Sequence, residues 1–235
     1  MKKQQEEHAL TNGFEVYPSC SRICYCCISQ LSKERLTAVS KPSTRDKIVS
    51  AMYALVAEKG YDKASVNQVC TSVGISKPAL YYYFSSKEEL FLDMVKSLYP
   101  VLDPEDKEFA SIVDREEYRL YLHNMGLTIL ASYHGDEERR RVLAEIDMQA
   151  TRIPAVAHHQ QRLTKATIDT FAAVLKHGVD IGALPERYEI KSAAQYLFVI
   201  TSGFSTLVAQ NADVDTVAVW KRAVDLLLLA AEELR

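Results

Sequence analysis

Between residues 44 and 90 apolar side chains recur at helical intervals, and the rhythm is broken by glycine- and serine-marked turns. Ile48, Met52, Leu55 and Val56 place one stripe on a first helix. Ser43 and Asp46 are spaced as a capping box at its start, and Gly60 closes it after Lys59. Val66, Val69, Cys70 and Val73 fall at i, i+3, i+4 and i+7, which predicts a second helix of about two turns with Ser65 as its N-cap. Gly74 supplies the left-handed residue that turns the chain, and Ile75 can fold back onto the stripe behind it. Ser76 caps a third helix with Pro78 in its first turn, where a missing amide donor costs nothing. On that helix Leu80 and Phe84 face inward, leaving Lys77, Ala79, Tyr82 and Tyr83 on the other side. A fourth helix begins at Ser86, which forms a further capping box with Glu89.

Two short helices joined by a glycine-containing turn make a helix-turn-helix. The outward face of the second one suits DNA. Small Ser76 and Ala79 allow close backbone approach to base edges, and Lys77 can reach a guanine or a phosphate. Tyrosine hydroxyls donate to phosphate oxygens, which fixes register without reading sequence. Lys87, at the start of the fourth helix, is expected to hold one more phosphate together with the helix dipole. Taken alone, the same residues also fit a tyrosine cluster on an ordinary small helical domain.

From Thr44 to Leu90 the text TRDKIVSAMYALVAEKGYDKASVNQVCTSVGISKPALYYYFSSKEEL resembles the N-terminal domain of the tetracycline-repressor (TetR) family of bacterial regulators. The carrying residues are Ala54 to Gly60 with Tyr61, Ser65 with Val66, the Val73-Gly74-Ile75-Ser76 turn, the Leu80-Tyr81-Tyr82-Tyr83-Phe84 run, and Lys87 through Leu90. One departure is visible, since family members often carry histidine where this chain has Tyr83. The resemblance implies DNA contacts from Thr44 or Arg45, Ser65, Ser76, Lys77, Ala79, Tyr81, Tyr82, Tyr83 and Lys87.

Beyond residue 90 the pattern is helical almost throughout. Helices are expected over 117–133, 136–152, 154–179, 189–210 and 214–234, separated by turn signals, with no strand or hairpin signal. The fold class is therefore all-α: a three-helix helix-turn-helix domain at 41–90, then a helical bundle at 91–235 for effector binding and dimerisation. Leu197, Ile200, Phe204, Leu207 and Val208 stripe one late helix, and Val217, Val224, Leu227 and Leu228 stripe the last, where residues 226–229 are apolar all round. These residues are expected at a two-fold homodimer interface, as the family implies, the alternative being that they close the monomer core. An effector pocket is expected among Tyr118, Tyr121, Leu122, Met125, Met148, Arg152, Phe171 and Leu175, aromatic and flexible walls with one cation. The resemblance implies that an unidentified small-molecule effector changes affinity for a palindromic operator. Release of the operator on effector binding would make the protein a repressor.

Composition refines this picture in a few places. The chain of 235 residues carries a formal net charge of −3. Residues 41–90 hold seven Lys/Arg against five Asp/Glu, net +2, while residues 91–235 hold sixteen against twenty-two, net −6. The sign asymmetry favours the first domain as the face turned to a polyanion. No apolar run reaches the roughly 18 residues of a membrane span and no secretory signal opens the chain, so a cytoplasmic location without membrane association is expected. His158 and His159 are about 100° apart on a helix, and His123, His134 and His177 have no partner at i+4, so no metal is expected. No nucleophile elbow, phosphate loop, zinc-protease motif or carboxylate pair supports an enzyme, and no cofactor is expected; a hydrolytic pocket in the bundle is the remote alternative.

Residues 1–40 stand apart and carry Cys20, Cys24, Cys26 and Cys27 without a second pair at zinc-ribbon distance. A thiol- or metal-responsive regulator using this cluster, with Cys70 beside it, is the second functional reading. Alternatively the family-like text, which begins near Val39, marks the native start, near Leu36 or Val39, and residues 1–40 are a start-site artefact or a disordered extension.

Overall fold

The computed structural model describes residues 42–98, 109–133 and 137–233, and the cysteine cluster at 20–27 lies outside them. Among the described residues every regular element is helical: α1 (Thr44–Lys59), α2 (Val66–Val73), α3 (Lys77–Tyr83), α4 (Lys87–Leu98), a 3-10 turn (Phe109–Ser111), α5 (Arg115–Tyr133), α6 (Glu137–Ala150), α7 (Pro154–Asp180), α8 (Ile190–Ala209) and α9 (Thr216–Glu233). The expected helices beyond residue 90 are all present, with ends that move by one or two residues. Such shifts are what fraying and the tightening of terminal turns produce.

Local chemistry explains the first boundaries. Ser43 Oγ accepts from the Asp46 amide at 3.2 Å, and the Asp46 carboxylate accepts from the Ser43 amide at 3.0 Å. The Ser43 hydroxyl donates to the same carboxylate at 2.7 Å, and this bond, followed by that from the Ser43 amide, holds the Asp46 pKa below its usual value. Pro154 starts α7, where its missing donor is harmless.

Two apolar cores form. The first contains Ile48, Met52, Val56, Val69, Leu80, Phe84, Leu90, Phe91 and Met94 from α1 to α4, and is completed by Val142 and Ile146 of α6 with Ile153 and Val156. Helix α6 is thus packed against α1. The second core gathers Tyr118, Leu122, Phe171, Val174, Leu175, Leu197, Phe204, Trp220, Val224, Leu227 and Leu228 from α5, α7, α8 and α9.

Trp220 keys α9 into α5. It is fully buried, and its Nε1 donates to the carbonyls of Leu122 at 3.2 Å and His123 at 3.1 Å. The indole lies flat against Gly126, where a Cβ would come within 1.8 Å of Cε2. Only glycine lets the two helices approach this closely.

The second core corrects the expected interface. Leu197, Phe204, Val224, Leu227 and Leu228 are all buried within the chain itself, and Ile200, Leu207, Val208 and Val217 are half-buried. Their stripes close the monomer around α5 and α7. The apolar side chains left outward on these helices are different ones: Tyr196 and Val199 on α8, and Val219, Leu226 and Leu229 on α9. Gly203, one turn past Val199, has open space where a side chain would project.

Candidate nucleic-acid interface

The candidate site is assembled on α2 and α3 by short-range capping. Ser65 Oγ accepts from the Gln68 amide at 3.3 Å, and Gln68 Oε1 accepts from the Ser65 amide at 3.0 Å. This second half of the box has its signal in the S-x-x-Q spacing of residues 65–68, which the N-cap assignment alone left out. At Gly74, φ 74° and ψ 36° are left-handed values, and the amides of Gly74 and Ile75 both donate to the Cys70 carbonyl. That double closure sends the chain abruptly into α3. Ser76 Oγ then accepts from the Ala79 amide at 3.3 Å.

α3 is anchored by few residues and exposed along the rest. Leu80 is fully buried and Phe84 is 1% exposed, while Tyr82 is 84% exposed. Tyr81 and Tyr83 are also exposed, and the rings of Tyr82 and Tyr83 meet edge to face at 5.2 Å. Ser76 and Lys77 are exposed and Ala79 half-buried. The three tyrosines give this face of α3 a continuous exposed aromatic surface.

The outer members of the expected contact set are engaged within the chain. Arg45 pairs with Asp93 at 2.6 Å, and its guanidinium sits 5.2 Å from the Phe84 ring centroid, bracing α1 against α4. Thr44 is half-buried, and Ser65 is exposed with its hydroxyl in the capping box. Lys87 departs furthest from expectation. Its Nζ donates to the Tyr61 carbonyl at 2.6 Å and lies 4.1 Å from the Tyr61 ring centroid, so the ammonium turns inward instead of toward a phosphate. Burial lowers its pKa, opposed by the nearby carboxylates of Asp62 and Glu145. Carbonyls at the end of α1 attract the ammonium, and an aromatic face completes its shell.

The Ser86–Glu89 box is also corrected. Ser86 Oγ accepts from the Glu89 amide at 3.0 Å, but the Glu89 carboxylate reaches back one residue further, to the Ser85 amide at 2.7 Å and the Ser85 hydroxyl. Those two bonds hold the Glu89 pKa below its usual value.

The residues expected to wall an effector pocket fall into two groups. Tyr118, Leu122, Phe171 and Leu175 are buried together in the second core with Tyr121 and Met125 packed against them, and the Tyr118 hydroxyl donates to the Val174 carbonyl at 3.2 Å. Burial pushes the Tyr118 phenol pKa up strongly. Met148 and Arg152 do not join them. Met148 lies in a groove between α1 and α6, and Arg152 pairs with Asp62 at 3.2 Å beside the helix-turn-helix. The expectation of a single pocket wall is therefore corrected: Met148 on α6 faces α1, and Arg152, in the turn after α6, reaches the turn after α1. Among the described histidines, His177 Nε2 lies 2.8 Å from the Ile112 carbonyl and His123 Nε2 3.3 Å from the Asp225 carboxylate. Among the described residues no cluster of three His, Cys, Asp or Glu side chains is placed to hold a metal ion.

Among the described residues the fold is all-helical, a helix-turn-helix joined to a larger helical bundle. Residues 48–94 match the sequence family described as "Bacterial regulatory proteins, tetR family". The match covers the helix-turn-helix segment of the chain. It is similar to the fatty acid metabolism regulator protein of Bacillus subtilis, 18% identical over 77% of this chain and 92% of the relative. It is also similar to the transcriptional repressor BepR of Brucella suis, 23% identical over 72% of this chain and 82% of the relative. In three dimensions it resembles a TetR transcription regulator from Haloarcula marismortui, with a TM-score of 0.66 at 20% identity over 80% of this chain and 97% of the other. SmeT of Stenotrophomonas maltophilia in complex with triclosan matches with a TM-score of 0.62 at 20% identity, covering 80% of this chain and 90% of that one. The regulator class agrees with the reading of the chain as a DNA-binding protein and not an enzyme.

Proposed function

We propose that the protein is a dimeric repressor that binds a palindromic operator through α3 and releases it when a small molecule binds among α5, α7 and α8. The observation that carries this reading is the exposed Lys77–Tyr83 face of α3, with Tyr82 in water beside buried Leu80 and Phe84. Ser76, Lys77 and Ala79 read base edges, while Tyr81, Tyr82 and Tyr83 position the head on phosphates. Thr44, Arg45, Ser65 and Lys87 act behind that face, by holding α1, α2 and α4 in place.

Dimerisation uses the outward side of the last two helices. Tyr196, Val199 and Gly203 on α8 and Val219, Leu226 and Leu229 on α9 present apolar surface, and the space over Gly203 permits close approach of a partner helix. Two half-sites then share one protein, which multiplies the modest charge of each head. The effector enters the second core, where Tyr118, Tyr121, Leu122, Met125, Phe171 and Leu175 converge. Ligand complexes occur among the structural neighbours, one with triclosan and one with choline, which supports a small-molecule effector without naming it. The described residues contain no helix long and apolar enough to cross a membrane, and operator binding assigns the protein to the cytoplasm.

Selection from a random pool of duplex DNA tests the reading. An inverted repeat should be enriched by the intact protein, lost by Lys77→Ala, and kept at lower affinity by Tyr82→Ala. Enrichment of no sequence, or of the same sequence by both variants, refutes it.

A further inference from the structure

The turn that leaves α1 is held from the body of the protein by the Glu145 carboxylate at the Tyr61 amide, with the exposed Arg152–Asp62 pair one residue further on. Gly60 has φ 80° and ψ 165°, a conformation open to glycine and costly for other residues. The next amide, of Tyr61, donates to Glu145 Oε1 on α6 at 3.0 Å, across 84 residues of sequence. The same oxygen accepts from Gln149 Nε2 at 2.9 Å; Gln149 lies one turn further along α6 and is 1% exposed. The buried amide thus fixes the carboxylate on its target. Glu145 Oε2 lies 3.2 Å from the position a Cβ on Gly60 would take, so the missing side chain makes room for the carboxylate.

Tyr61 passes this restraint onward. Its carbonyl takes the Lys87 ammonium, and its ring packs on Phe91 of α4 with centroids 4.5 Å apart. One residue therefore has its amide tied to α6 and both its carbonyl and its ring tied to α4, the helix that directly follows α3. Apolar contacts between α6 and the head tolerate sliding, whereas hydrogen bonds weaken steeply as their angle departs from linear.

We propose that Glu145 is a positioning residue for DNA reading: through the Tyr61 amide it sets the angle of the helix-turn-helix on the body, and hence the separation of the two reading helices in the dimer. The assignment rests on the DNA-reading function proposed above. Glu145 touches no DNA.

The test uses the full-length protein, its Glu145→Ala variant and its Glu145→Gln variant, whose side-chain carbonyl can still accept both bonds. Each is offered a pool of paired half-sites with randomised spacing, and amide hydrogen exchange is followed over residues 58–64. Glu145→Ala should broaden or shift the preferred spacing and weaken binding at the original spacing about tenfold, on the scale of one lost hydrogen bond to a charged group. Its affinity for an isolated half-site should stay within about threefold, a small free-energy change on the same scale. Exchange at Tyr61 should accelerate. Glu145→Gln should keep the original spacing and slow exchange. Loss of affinity equal at every spacing, or unchanged spacing despite faster exchange, overturns the proposal, and so does unchanged exchange. If the unaltered protein enriches no DNA, the DNA-reading assignment fails and this role with it, while the exchange data still report on the bond separately.

Discussion

Replacing Gly126 with alanine sets two effects of opposite sign against each other. In an exposed helix the change would stabilise by about 1 kcal/mol, because glycine is a poor helix former. In α5 the new methyl would lie 1.8 Å from Trp220 Cε2 and 2.0 Å from Nε1, well inside contact distance. Trp220 is fully buried, so the ring must shift or α9 must move outward. Overpacking of this kind costs about 1–3 kcal/mol. Displacing the indole also breaks its donation to the Leu122 and His123 carbonyls, worth about 1 kcal/mol. The balance is a net loss of about 1–3 kcal/mol after the propensity gain. Trp220 is the chain's single tryptophan, so urea unfolding followed by its fluorescence reports the site and the transition together. The folded-state emission of Gly126→Ala should also shift, because the indole leaves its hydrogen-bonded slot. An unchanged or raised midpoint with unchanged emission would refute the steric account of α5 and α9.

Other expected outcomes can be checked as directly. Tyr82→Ala should leave thermal stability unchanged and weaken binding to all duplexes, whereas Lys87→Ala should lower head stability by about 1 kcal/mol through loss of the Tyr61 carbonyl bond; equal thermal midpoints for Lys87→Ala and the parent would contradict this. Val199→Asp with Leu226→Arg should yield a folded monomer by sedimentation, since both positions are exposed in the chain, and a persisting dimer would put the interface elsewhere. Burial raises the Tyr61 and Tyr188 phenols from 10.0 to about 12. Both are protonated in the folded state over a range where the unfolded chain ionises, so their stabilising contribution is complete below pH 10 and is lost as pH rises toward 12. Unfolding midpoints measured across that window should fall, and a flat profile would count against the buried neutral phenols.

Much of the head was legible because its signals are local. The S-x-x-D, S-x-x-Q and Val-Gly-Ile-Ser texts specify caps and a left-handed turn within a few residues, and the structure carries each of them as hydrogen bonds. The Lys87 contact was not legible, because its partner is a carbonyl 26 residues away and nothing in its own helix announces it. The same holds for Met148 and Arg152, whose facing depends on how α6 lies across α1. In the last two helices periodicity identified apolar stripes correctly but could not tell what covers them. Leu197, Phe204 and Leu228 face α5 and α7 within the chain, while Val199 and Leu226, no more apolar by composition, face outward. Glu145 had no sequence signal at all, since a single carboxylate in a charged helix is ordinarily solvated.

The central claim is that the α3 face reads DNA as half of a two-fold pair. The most direct measurement is selection of duplexes from a random pool by the intact protein, followed by sizing of the protein–DNA complex. An enriched inverted repeat bound by two chains, with enrichment abolished by Lys77→Ala and affinity lowered for every duplex by Tyr82→Ala, is the predicted result. Enrichment of no sequence, or a single unpaired site bound by one chain, would contradict it.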